Sequence, residues 1–299
     1  MLLVAGTNRP RPRCCAMANA RGSWLVINGA SGSFSAAAVA QLAKALGQAG
    51  HPSERTIDCQ NEDLPDRAML EQAGVQLLSV FAGDGTVNAA LSGIEGWGGQ
   101  VLVLPGGTTN LLAKSLHGEA RPDAILAALG KGRLEILRRH CIHSDQGTAL
   151  CEVLAGPGAS WSDVREEIRN RDVPKLASKT MEAVRQSTGG PMVRLTQPET
   201  GKAEGYSGLL LTVQADGIAL AGYGADGIAD TLRQGLAVLR HDFREGPHDD
   251  LGTAREVVCT SVDNSPIELM IDGERRTGSA CERFSLAPLA LDLLALGHG

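Results

Sequence analysis

Two runs of glycine, threonine and acidic or amide residues in this 299-residue chain have the types and order that handle phosphate. The apolar stretch Val75, Leu77, Leu78, Val80, Phe81 breaks into Ala82-Gly83-Asp84-Gly85-Thr86, after which Val87 to Leu91 suit a helix. Further on, Val101-Leu102-Val103-Leu104 breaks into Pro105-Gly106-Gly107-Thr108-Thr109-Asn110, followed by the helix-like Leu111 to Leu116. Both read as strand, glycine loop, helix. Glycines let backbone N–H groups approach an anion, and a helix N-terminus adds partial positive charge. Two such loops on neighbouring parallel strands open on the same sheet edge, so a polyphosphate is the expected guest. Asp84 would repel that phosphate unless a divalent cation lies between them or the acid takes up a proton, so Mg2+ is expected near Asp84. Thr86, Thr108, Thr109 and Asn110 are of the right types to donate to phosphate or sugar oxygens. For either loop alone, a plain turn with a helix cap is the competing explanation; the pair shifts the balance.

Gly83-Asp84-Gly85-Thr86 followed by Pro105 to Asn110 resembles the diacylglycerol kinase catalytic family, which includes bacterial lipid kinases and sphingosine kinases and shares its nucleotide domain with NAD kinases. Ile27-Asn28-Gly29-Ala30-Ser31-Gly32 resembles that family's first loop, and Ile271-Asp272-Gly273-Glu274 its late acidic motif. The resemblance implies an ATP site at Asn28, Ser31, Gly32, Gly83, Asp84, Gly85, Thr86, Gly106, Gly107, Thr108 and Asn110. It implies Asp84 and Glu274 as catalytic groups, Glu274 being the general base and Asp272 a turn or supporting residue. Asp216-Gly217-Ile218 resembles a motif that binds a second, structural metal, so Asp84 and Asp216 are the implied metal residues and ATP with Mg2+ the implied cofactors. The chain departs from the pattern at four places. Ala82 replaces a usual Gly, Glu152 replaces an Asn, Glu135 is the only acid in the segment Leu134 to Arg139, and the loop before Asp216 is short.

The elements that must position these residues follow from the pattern. The length favours two domains. Hydrophobic content of 43% with only 3% aromatics means that Leu, Val, Ile and Ala fill the cores. A net charge of −6 argues against a general nucleic-acid binder. Seven scattered cysteines without a CxxC pair read as cytosolic usage, and ordinary packing is preferred to a zinc site at His140-Cys141-Ile142-His143 with Cys151.

The expected fold is α/β, with residues 1–22 a disordered extension that fits no signal peptide. Residues 23–140 are expected to form a doubly wound parallel-sheet nucleotide domain, residues 141–285 a mainly antiparallel substrate domain, and residues 286–299 a tail returning to the first domain. Helices are predicted at Ala36 to Ala49, Leu64 to Ala73, Asp123 to Gly130, Asp163 to Arg171 and Lys175 to Gln186. Strands are predicted near Pro191 to Thr196, Gly208 to Gln214, Gly217 to Tyr223, Glu256 to Ser261 and Ile267 to Ile271. Ala225 to Arg244 has the spacing of an amphipathic helix carrying Arg233, Arg240 and Arg244 on one face. That face would meet anionic headgroups or simply be solvated. No apolar run reaches the length of a membrane span.

The expected activity is ATP-dependent phosphorylation of a lipid hydroxyl, as in diacylglycerol or a sphingoid base, by a cytoplasmic protein touching membranes peripherally. A lipid acceptor is the expected partner, and a homodimer stays open. The competing readings are a non-catalytic nucleotide- or lipid-binding relative and, less favoured, an NAD kinase.

Overall fold

Residues 101 to 104 show how the first sheet is built. Side chains alternate across a strand, and here Val101 and Val103 join a core with Val80, Val87 and Leu112, while Leu102 and Leu104 join another with Leu42, Leu46 and Ile125. The strand is therefore apolar on both faces, as a parallel strand covered by helices must be. The computed structural model describes residues 22–30, 35–157, 192–224 and 248–297.

The first unit runs β1 (Ser23–Ile27), α1 (Ala36–Gln48), β2 (Ser53–Asp58), α2 (Arg67–Gln72), β3 (Leu77–Ala82), α3 (Asp84–Gly93), β4 (Gln100–Pro105), α4 (Leu111–His117), α5 (Pro122–Gly130) and β5 (Leu134–Leu137). Local chemistry sets the helix starts. Ser35 Oγ accepts from Ala38 N to cap α1, and Pro122 opens α5 at a position where a missing N–H is harmless. The second helix begins at Arg67 instead of Leu64. Pro65 disfavours helix at the residue before it, and Asp66 is the cap, accepting from Met69 N at 2.7 Å.

The second unit is all β among the described residues: β6 (His140–Ser144), β7 (Gly147–Ala149), β8 (Glu152–Ala155), β9 (Val193–Gln197), β10 (Gly208–Val213), β11 (Ile218–Tyr223), β12 (Asp249–Ala254), β13 (Glu256–Ser261), β14 (Glu268–Ile271), β15 (Glu274–Thr277) and β16 (Cys281–Pro288). They form two antiparallel sheets, ordered β12-β11-β10-β8-β14-β15 and β7-β6-β16-β13-β9. Val153, Leu209, Leu211, Leu269 and Ile271 from the first meet Ile142, Leu195, Val257 and Phe284 from the second, giving a sandwich core. The final strand, β17 (Asp292–Leu296), returns to the first unit. It pairs parallel with β4 and antiparallel with β5, so the first sheet reads β2-β1-β3-β4-β17-β5. This is the mixed parallel-sheet and antiparallel-sheet architecture expected from the sequence.

Several expectations fall outside the described residues: the loop positions Ser31 and Gly32, the helices at 163–171 and 175–186, and the helix at 225–244 with Arg233, Arg240 and Arg244. No helix among the described residues is long and apolar enough to cross a membrane.

Candidate functional site

The carboxyl ends of β1, β3 and β4 lie side by side, in parallel register with Ile27 opposite Phe81 and Ala82 opposite Pro105. The two glycine loops that follow β3 and β4 therefore touch. A Cβ built on Gly107 would stand 2.5 Å from Gly83 Cα, and one on Gly106 would stand 2.6 Å from Ala82 N. Both neighbours are backbone, so only glycine permits this approach at 106 and 107 without displacing the other loop. Gly83 is less constrained, since its own Cβ would meet Gly107 Cα at an ordinary 3.5 Å.

The first loop joins from the other side. Asn28 Nδ2 donates to Thr86 Oγ1 at 2.9 Å, while Asn28 Oδ1 accepts from Ala30 N and Gln60 Nε2. Asp58, at the end of β2, accepts from Gly29 N at 2.9 Å. Asn28, Gly83, Asp84, Gly85, Thr86, Gly106 and Gly107 thus share one sheet edge.

Within that edge several groups are engaged with one another. Asn110 adopts a left-handed conformation, and its amide bonds Gly107 N and O, so it is committed to shaping its own loop. The N-terminus of α4 addresses Asp84, whose Oδ1 accepts from Leu111 N at 2.6 Å. The positive end of that helix is answered by a carboxylate of the protein, and the Asn110 and Leu112 amides add to the effect. No side chain caps α3, because its N-cap is Gly83.

Asp84 is electrostatically uneasy in this position. Burial raises its carboxyl to about 6, the hydrogen bond from Leu111 opposes the rise, and the nearby Asp272 charge adds to it.

The late acidic motif comes to the same edge. Two residues apart on extended chain, Asp272 and Glu274 would face the same way, but here they do not. Asp272 (φ 46°) and Gly273 (φ 90°) are both left-handed and form the two-residue turn of the β14–β15 hairpin, so the two carboxylates part company. Glu274 reaches the first glycine loop, where a Cβ on Gly85 would collide with its Oε1. Asp272 turns inward and is 3% exposed. It accepts from Leu150 N, Cys151 N and Glu152 N at 2.6 to 2.9 Å and from Asn88 Nδ2 at 2.8 Å. Asn88 Nδ2 also donates to Thr148 O at 2.8 Å. One amide on α3 therefore clamps the sandwich to the helix that carries Asp84.

Sequence reasoning missed Asn88. The available signal was its place one turn after Asp84, at i+4 on one helix face. Asp58 was missed as well, although an acid closing the second strand beside a glycine loop is a known kind of signal.

Asp216 lies on the exposed turn between β10 and β11, where its backbone carbonyl accepts from Arg255 Nη1. Among the described residues no group of three or more His, Cys, Asp or Glu could hold a metal ion. His143 is engaged by Thr148 Oγ1 at 2.8 Å, and the Cys141 thiol lies 3.5 Å from Ala287 O. Glu135 is exposed on β5.

A largely parallel sheet whose glycine loops pair at one edge, faced by an antiparallel sandwich bearing an acid, makes a mixed α/β fold of two units. Comparison with known proteins makes this particular. Residues 23–138 match the diacylglycerol kinase catalytic domain. No curated protein matches the chain. Among solved structures, a diacylglycerol kinase from Bacillus anthracis strain Sterne superposes with a TM-score of 0.61 at 14% identity, over 92% of this chain and 96% of that one. A second, provisionally assigned diacylglycerol kinase of the same organism gives 0.60 at 16% identity with the same coverage. At these identities the likeness establishes the fold.

Proposed function

We propose that this protein is an ATP-dependent lipid kinase that transfers the γ-phosphoryl group to a lipid hydroxyl. The observation that carries the reading is the seat of Glu274 against Gly85, beside Asp84, at the edge where the glycine loops meet. An acceptor hydroxyl placed between Glu274 and a phosphate on the loops would have a carboxylate at hand for its proton.

The residues at this edge fit a nucleotide with a divalent cation. The glycines at 85, 106 and 107 let Glu274 and the two loops pack closely at this edge, and the uncapped first turn of α3 suits phosphate. Asp84, held near 6 by burial, is the carboxylate that a cation would relieve, and the remaining oxygen ligands would come from phosphate and water. Bound there, the cation would supply charge neutralisation on the phosphoryl group. Asn28 and Thr86 orient the loop, and Asp272 and Asn88 hold the hairpin that presents Glu274. Arg233, Arg240 and Arg244 lie outside the described residues; their contact with anionic headgroups, and with it peripheral membrane contact, is part of the proposal, a solvated face being the alternative.

The test is incubation with radiolabelled ATP and a total lipid extract. Label appearing in one lipid class supports the reading and names the acceptor. ATP binding without transfer to any lipid would leave a non-catalytic relative, and label in added NAD would make it an NAD kinase.

A further inference from the structure

A second cleft opens at the far end of the first sheet. Its volume is about 540 Å3, within the range of small-molecule sites, and it is lined by residues 96–98, 138–140 and 288–292. Gly96, Trp97 and Gly98 precede the start of β4, whereas the glycine loop follows its end. The length of that strand, roughly 20 Å at six residues, separates the two sites. The other two walls are the two passes of the chain between the units, one from β5 to β6 and one from β16 to β17. Backbone bonds pin the walls together: Gly96 N donates to Ala290 O at 3.0 Å and Leu289 N to Arg139 O at 2.9 Å.

The polar lining is unevenly balanced. Arg138 is answered by Asp292, with Nε at 2.6 Å and Nη2 at 3.4 Å from the carboxylate. Arg139 is half-buried, donates through Nη1 to Ser115 Oγ at 2.5 Å, and forms no ion pair among the described residues. A guanidinium has five N–H donors, so most of those on Arg139 are left for a ligand. His140 follows it in the lining, and Trp97, Pro288 and Leu289 supply apolar wall.

We infer that this cleft binds a small phosphomonoester. Arg139 and His140 would hold the phosphate, because an arginine fork and a ring N–H reach a tetrahedral oxyanion from different directions. The organic part would lie against Pro288 and Leu289. Since both inter-unit passes form the walls, an occupant touches each of them, and the site is suited to an effector that adjusts how the sandwich bearing Glu274 sits on the glycine loops. Binding here is independent of whether those loops turn ATP over.

The chain has three tryptophans, so Trp24→Phe with Trp161→Phe leaves Trp97 as the reporter in the cleft wall. Titration of that full-length protein with glycerol 3-phosphate should give a saturable change in Trp97 emission. Arg139→Gln should weaken it by roughly tenfold or more, the scale of one charged hydrogen-bond partner, and His140→Gln should weaken it less, each checked for an unchanged melting curve. If Arg139→Gln does not fold, Arg139→Lys, which keeps the charge and loses the fork, takes its place. Vesicles containing phosphatidic acid form a parallel arm: a response to vesicles alone makes the occupant a lipid headgroup, and a response to the soluble ester makes it a free metabolite. No response in either arm, an equal response to plain glycerol, or indifference to both Arg139 and His140 substitutions overturns the proposal.

Discussion

The Glu274 carboxylate occupies the space where a Gly85 side chain would begin. Because the obstructing atoms are the far end of a flexible side chain, Gly85→Ala is expected to leave the fold intact and push Glu274 off the loop. Turnover should then fall while ATP affinity changes little. Glu274→Gln keeps the shape and removes the basicity, so turnover should drop by about 10² to 10⁴. In the double variant the two losses should be far from additive. Rapid-quench measurement of the chemical step checks this, and a Glu274→Gln enzyme with more than about a third of parental turnover rules out the base role.

Gly83 and Gly107 should respond unequally to the same substitution. Gly83→Ala places its Cβ at an ordinary distance from Gly107, whereas Gly107→Ala drives a methyl into the backbone of the other loop. The expected result is near-parental ATP binding for the first and a loss of about tenfold or more for the second, on the scale of a 1.4 kcal/mol misfit. Calorimetric titration with a non-hydrolysable ATP analogue distinguishes them, and equal affinities would make the loop contact irrelevant to binding.

Asp84 should trade stability against activity. Its folded-state carboxyl, raised from 3.8 to about 6, binds more protons than the unfolded one between those values. Its contribution to stability is therefore present below pH 4 and lost as pH rises through 6. Asp84→Asn should stabilise the protein at pH 7.5 by on the order of 1 to 2 kcal/mol, allowing for partial exposure, while abolishing transfer. Denaturant melts at pH 4.5 and 7.5 read the effect. An Asn variant that is less stable at pH 7.5 contradicts the account.

His117 titrates in the opposite sense. It is buried at the end of α4 and makes its one hydrogen bond through Nε2 to Val103 O at 3.0 Å, leaving Nδ1 buried without a partner. Burial lowers it from 6.5 to about 4, so its contribution is complete above pH 6.5 and disappears as pH falls through 4. The loss amounts to about 3 kcal/mol. His117→Gln, which retains a donor for Val103 O, should flatten the acid limb of the stability curve between pH 6.5 and 4. An unchanged limb would assign the acid sensitivity elsewhere.

Asn88→Ala removes both inter-unit bonds of one amide and withdraws a donor from the buried Asp272 carboxylate. A cost of about 2 to 3 kcal/mol is expected, with faster hydrogen exchange in β14 and β15 and a fall in kcat that exceeds any change in the KM for ATP. Parental exchange in the hairpin would show that the clamp does not hold it.

The paired glycine loops and the strand-and-helix alternation were legible because backbone geometry dictates them. Gly106 has to be small wherever two loops meet edge to edge, and Val101 to Leu104 have to be apolar on both faces. What the sequence hid was direction. Asp272 and Glu274 look like a same-face pair on extended chain, and only the positive φ values at 272 and 273 send them apart. Likewise the α4 N-terminus reads as a phosphate seat until Asp84, a distant residue in sequence, is found on Leu111 N. Such long-range partners leave no periodic trace. Among the departures, nothing in the structure explains Ala82 or the lone acid Glu135.

The placement of β17 has a consequence for synthesis. The strand sits between β4 and β5, so the sheet begun by residues 23–137 has a gap that residues 292–296, synthesised after the whole sandwich, must fill. Until residue 296 emerges, β4 and β5 present unsatisfied edges, and the nascent chain holds an unfinished sheet through the whole of translation of the sandwich. Residues 23–138, although they match a catalytic domain by themselves, are thus short of one interior strand. The sandwich acts as a tether that delivers it, and chain termination before Asp292 should leave an insoluble product, with no separately folded nucleotide unit.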